Sequence, residues 1–349
     1  MGTPNMSSLL SILLVFTFIS PLSCYSQGNE TKIKGMFVFG SSLVDNGNNN
    51  FLQTKAKANF WPYGIDFPYG STGRFTNGKN VIDLLSDHLG LPFIPPFYHP
   101  STTGANITHG VDFASAASGI LDFTGTVSGN VTGLNKQIEN FVERTLPALE
   151  TQLGIKSDKF LRNYMFVVGI GGNDYTNNYF ARPMNQTLQA FTNNLILALS
   201  AKFKILYNLG GRKFVLMSAN PLGCYPIKRR NGSKCIKELN EAALLYNSQL
   251  KSLVDHMNQQ FPDSHFVFVN SYHIIMDIIN NHTSLGFQNV KEACFDRSSN
   301  KVCVNRKQYV FFDGVHPTQA VNLIIASKAF FSNLQSEVYP ININQLSMF

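Results

Sequence analysis

Residues 164–174 read YMFVVGIGGND: an apolar run, an abrupt pair of glycines, then an amide and a carboxylate. The run is short and continuous rather than alternating, which suits a strand of a parallel sheet covered on both faces. The same signature recurs at 35–39 (GMFVF), 213–218 (KFVLMS) and 265–270 (HFVFVN). Helical patterns lie between these runs. Leu134, Ile138, Phe141, Val142 and Thr145 share one face, as do Leu188, Phe191, Leu195, Leu199 and Leu206, with Gly210-Gly211 as the stop. Leu239, Ala243, Tyr246, Leu250 and Met257 repeat the stripe, and a last helix is expected over about 318–334. Strands alternating with helices predict a doubly wound α/β/α sandwich in one domain. Ligands of such sheets sit beyond the carboxyl ends of the strands, so the chemistry is sought there.

Four segments carry candidate chemistry. In the first, Ser42 follows the run ending Phe39-Gly40. A serine on such a turn projects its hydroxyl into the crevice, where a neighbouring base can deprotonate it. Read alone, Ser42 is equally well explained as a helix N-cap. In the second, Gly119 closes residues 110–119 (GVDFASAASG) and could bring a bare backbone N–H close to a ligand. In the third, Asn173 offers an amide N–H to a developing oxyanion, although Gly-Asn-Asp is also ordinary turn chemistry. In the fourth, Asp313 and His316 are three residues apart, so one tight turn can hold the carboxylate against imidazole Nδ1–H and leave Nε2 free as a base. Each has a bland explanation by itself; a nucleophile, oxyanion donors, a base and its orienting acid together are what acyl transfer needs.

The stretches FVFGSSLVDNGNNN (37–50), GVDFASAASGI (110–120), GIGGND (169–174) and FFDGVHPTQAVN (311–322) resemble the four blocks of the GDSL esterase/lipase family, the SGNH hydrolases, in its long plant-type branch. The resemblance spans roughly residues 33–335. It implies a mainly parallel, flavodoxin-like central sheet, Ser42 as nucleophile, His316 as base and Asp313 as the acid that orients it. It further implies an oxyanion hole from the Ser42 and Gly119 backbone N–H groups and the Asn173 side chain, with no metal or organic cofactor. The chain departs from the family pattern in places. Ser41 stands where the family has the acid before its nucleophile, Asp112 replaces a usual asparagine, and Ala116-Ala117 occupy frequent glycine positions.

Composition and processing signals set the context. With 349 residues, 44% of them hydrophobic and 14% charged, the chain can bury a sizeable core and is not of disordered or fibrous composition. Residues 9–19 (LLSILLVFTFI) are apolar but fall short of the roughly 20 needed to cross a bilayer. With Ser20-Pro21 and small residues following, they read as a secretory signal over 1–26, ahead of a hydrolase domain over 27–349. Export fits N-x-[ST] sequons at Asn29, Asn106, Asn130, Asn185, Asn231 and Asn281. Cys224, Cys235, Cys294 and Cys303 remain after cleavage, an even set that suggests two disulfides; nearest-neighbour pairing is preferred over the alternatives. Zinc is disfavoured, because no C-x-x-C pair or grouped histidine is present. The net charge of +7 is spread along the chain and reads as solubility, and nothing resembles a nucleic-acid module. The expected protein is a secreted, extracellular serine esterase or lipase acting on small-molecule or lipid esters, without a stable membrane anchor. An extracellular acyltransferase using the same triad and a weakly catalytic binding protein are the alternatives. Nothing in the sequence sets an oligomeric state.

Overall fold

The computed structural model describes residues 1–2, 33–182, 185–229 and 234–349. The expected signal segment, beyond its first two residues, and the sequons at Asn29 and Asn231 lie outside them.

Five parallel strands form the core: β1 (Gly35–Gly40), β2 (Gly110–Asp112), β3 (Tyr164–Gly169), β4 (Lys213–Met217) and β5 (His265–Val269). Their spatial order is β2-β1-β3-β4-β5, the flavodoxin-like arrangement, and the Val338–Tyr339 strand adds antiparallel to β5 at the edge. That edge pair is too short to leave a periodic signal. β1, β3 and β4 are buried throughout, which is why their sequences are unbroken apolar runs.

In-register neighbours bring Phe37, Phe166, Phe214 and Phe266 side by side across four strands. Their ring centroids are spaced 5.5, 5.3 and 4.2 Å apart. Such a ladder stabilises the sheet through burial and ring-on-ring contact at once. Phe166, which also meets Phe141 edge-on, sits at its middle. Phe166→Ala should therefore cost about 3–5 kcal/mol, read as a lower urea midpoint with the disulfides intact.

Helices cover the sheet. Val81–Leu89, Ser271–Asn280 and Gln319–Phe331 pack together, and Leu188–Asn208 packs along Lys237–Gln260. The last of the first group is shorter than its apolar pattern, starting after Thr318 and ending at Phe331. The stripe expected from Leu134 to Thr145 runs on to Leu153 as one helical path with a π turn at Phe141–Thr145. Pro147, with no amide hydrogen to return to the preceding turn, falls just after that π turn.

Disulfides join Cys224 to Cys235 and Cys294 to Cys303, closing short segments 11 and 9 residues apart. The sequon residues Asn106, Asn130, Asn185 and Asn281 are exposed. Among the described residues no helix is long and apolar enough to cross a membrane.

Candidate active site

Strand order reverses between β1 and β3, and the turns leaving these two strands supply Ser42 and Asn173. The β1 turn is held from two sides. The buried Gln137 side chain accepts from Gly40 N–H and donates to Gly40 C=O, each at 2.8 Å, while Ser41 N–H donates to Gly169 C=O on β3. Ser42 thus leaves a clamped strand end and stays half-exposed. Its Oγ lies 2.7 Å from His316 Nε2.

His316 arrives from 274 residues away in the chain. Its segment follows Tyr309–Phe311, a strand that is not part of the central sheet and pairs instead with Asn289–Ala293. The Asp313–His316 turn is closed by Asp313 Oδ1, which accepts the backbone N–H groups of Val315 and His316 at 2.8 Å each. The same carboxylate lies 2.8 Å from His316 Nδ1 through both oxygens. Its Oδ2 also accepts a 2.6 Å bond from the buried Tyr63 hydroxyl. Burial alone would raise the Asp313 pKa, but the imidazole beside it, with the Tyr63 and backbone donors, holds it down to about 2. The carboxylate therefore stays ionised against Nδ1, the state that places the His316 proton there and leaves Nε2 to accept from Ser42. Phe75 covers the imidazole at 4.9 Å between ring centroids.

Asn173 borders the same cleft. One N–H of its amide donates to Ser118 C=O at 2.9 Å, which steers the group, and the second has no acceptor among the described residues. Gly119 stands elsewhere. A Cβ on it would come within 2.6 Å of both Asp174 carboxylate oxygens, so its bare Cα serves a close approach to Asp174. Asp174 in turn accepts from Ile120 N–H, Leu121 N–H and the Thr124 hydroxyl, and its burial pushes the carboxyl up to about 6. The residues of this loop that line the cleft with Ser42, Asn173 and His316 are Ala116, whose N–H is taken by Asp45 and Asn49, and Ala117. Ala117 has φ 67°, a left-handed conformation uncommon for alanine, and its N–H has no acceptor among the described residues. The Ser42 N–H is equally unengaged among them. Gly119, packed beside Asp174, is not among the residues that line the cleft.

The sequence profile of the GDSL-like lipase/acylhydrolase family matches residues 36–329. A GDSL esterase/lipase of Arabidopsis thaliana is 41% identical over 339 residues, covering 91% of this chain and 90% of its own. GDSL esterase/lipase 7 of the same plant is 38% identical over 364 residues, covering 98% of this chain and 100% of its own. The chain belongs to the GDSL family.

In this GDSL hydrolase the block-one and block-two loops are locked together below the cleft. Asp112 Oδ2 accepts Asn46 N–H at 2.6 Å, Asp45 Oδ2 accepts Ala116 N–H at 3.0 Å, and the Ser115 hydroxyl donates to Asn49 at 2.6 Å. Burial lifts both aspartates above the ordinary carboxylate range, and Asp45 raises Asp112 further. Ser41, in place of the family's acid, is buried and lines a small cavity of about 40 Å³ under the Ser42 turn. Among the described residues no group of three or more His, Cys, Asp or Glu could hold a metal ion. Tyr63, which meets Asp313, and the charged rim of the cleft carry no motif that local sequence reveals.

Proposed function

We propose that this GDSL hydrolase is a secreted serine esterase in which Ser42, His316 and Asp313 act as a triad. The observation that carries the reading is the continuous chain of contacts from Ser42 Oγ through the imidazole to a buried carboxylate, 2.7 and 2.8 Å long. Ser42 Oγ attacks the ester carbonyl while His316 Nε2 takes its proton. The oxyanion is received by the N–H groups of Ser42 and Ala117 and the free N–H of Asn173. His316 returns the proton to the departing alcohol, and water, activated by the same imidazole, releases the acyl group. Export of a single catalytic domain spanning 27–349 is supported by the two disulfides, which persist in an oxidising compartment.

A fluorophosphonate probe tests the assignment: stoichiometric labelling mapped by mass spectrometry to Ser42 supports it, and labelling at Ser41 or none in folded protein overturns it. Asn173→Ala should lower kcat for p-nitrophenyl acetate about 10²–10³-fold with little change in KM, because the lost bond strengthens only as the oxyanion forms. Steady-state kinetics checks it.

A further inference from the structure

Above Ser42 and His316 lies an open cleft of about 310 Å³, whose walls include Lys55, Lys228 and Arg297 and, among the described residues, no aspartate or glutamate. These cations are far apart in the chain, and the fold brings them to one rim. Some other basic residues of the protein are matched, as Arg74 is to Asp83, Arg306 to Asp66 and Arg212 to Asp263. Among the described residues, none of the three rim cations has an ion-pair partner; Arg297 only rests 5.5 Å over the Phe60 ring. Its charge reaches the Tyr63 hydroxyl behind Asp313, where it opposes the burial and the Asp313 charge that push that hydroxyl up. Like charges held together without counter-charges repel one another, and a concave site concentrates their field on whatever enters it.

The two spaces beside Ser42 also divide the ester. His316 must hand its proton to the departing oxygen, so the alcohol half lies on the side His316 lines, which is the open cleft. The small cavity does not include His316 and is walled by Leu43, Val44, Ile170, Met217 and Leu222, which suits the acyl half.

Resting on the esterase reading above, we propose that the alcohol half of the substrate carries an anion, a carboxylate or a phosphate, received by Lys55, Lys228 and Arg297. In the acylation step the Ser42 Oγ–acyl carbon bond forms, the bond from that carbon to the alcohol oxygen breaks, and the Ser42 proton passes through His316 Nε2 to that oxygen. The anion is a spectator whose charge is met at the rim.

The test uses acetate esters of phenols that differ only in their para substituent. 4-Acetoxybenzoate and 4-acetoxyphenyl phosphate carry the two anions, 4-acetoxybenzamide is neutral, and 4-acetoxy-N,N,N-trimethylanilinium is cationic. Each rate is divided by that ester's own hydroxide rate to remove leaving-group reactivity. The expected result is kcat/KM about 10–100-fold higher for an anionic ester than for the amide, lowest for the cation, and falling as ionic strength is raised from 0.02 to 0.5 M, where charges at a solvent-facing rim are screened. The ratio between the two anions tells carboxylate from phosphate. In the Lys55→Gln/Lys228→Gln/Arg297→Gln variant the anionic-to-neutral ratio should collapse toward 1. Equal normalised rates for all four esters in the wild type, without salt dependence and with turnover lost in Ser42→Ala, would overturn the charge assignment and leave the esterase intact. Turnover that survives Ser42→Ala, or none for any ester, overturns the esterase reading itself and the charge assignment with it.

Discussion

Ser42→Ala is expected to lower kcat for p-nitrophenyl esters by about 10⁴–10⁶-fold, leaving only what the oxyanion donors and substrate binding contribute. The size follows from the site's economy. Ser42 Oγ is the hydroxyl in contact with His316 Nε2, and among the described residues no second side chain hydrogen-bonds that nitrogen. Ser41, next in the chain, cannot take its place, because its backbone is tied to Gly169 C=O and it is buried against the small cavity instead of the cleft. The fold should not suffer: Ser42 is half-exposed, and among the described residues its Oγ bonds to His316 alone. The measurement is steady-state hydrolysis from acetate to palmitate, wild type beside variant, with thermal melts of both. Ser42-dependent turnover also reports chain-length preference. A variant retaining a tenth of wild-type kcat would remove Ser42 from the nucleophile's role.

How much of this was legible depended on whether the information was local. β1, β3, β4 and β5 are read from sequence because a strand covered on both faces must be apolar at nearly every position. β2 escapes the same test, being three residues long with only Val111 as an aliphatic side chain. Ser42, Asn173 and the Asp313–His316 turn were legible because each is a side-chain chemistry set in a short turn. A backbone donor leaves no such signature, since an N–H belongs to every residue, and the left-handed φ 67° of Ala117 shows only in the structure. A non-glycine at a frequent glycine position was the one available hint. Tyr63 meets Asp313 across 250 residues, and the rim cations at 55, 228 and 297 converge only once the sheet has formed. Charge that looked scattered and solubilising along the chain is therefore partly concentrated in space.

Asp313→Asn should cost about 10⁴-fold in kcat with a near-native KM, and it isolates the tautomer from the geometry. The backbone N–H groups of Val315 and His316 both point at Oδ1, so an asparagine keeps its oxygen there and turns its NH₂ toward the Tyr63 hydroxyl and His316 Nδ1. Nδ1 must then accept, which moves the imidazole proton to Nε2, where it faces Ser42 Oγ. The base has become a donor although no atom has moved far. The acid limb of the wild-type pH profile gives an independent check. Asp313, held to about 2, stays ionised far below the working range, so it should contribute no ionisation of its own to the kcat/KM profile above about pH 4. The same depression stabilises the fold above the ordinary aspartate pKa of about 4, and that contribution is lost as the pH falls from there through about 2. An Asp313→Asn variant within tenfold of wild type would mean that Asp313 holds the His316 turn in shape without orienting the base.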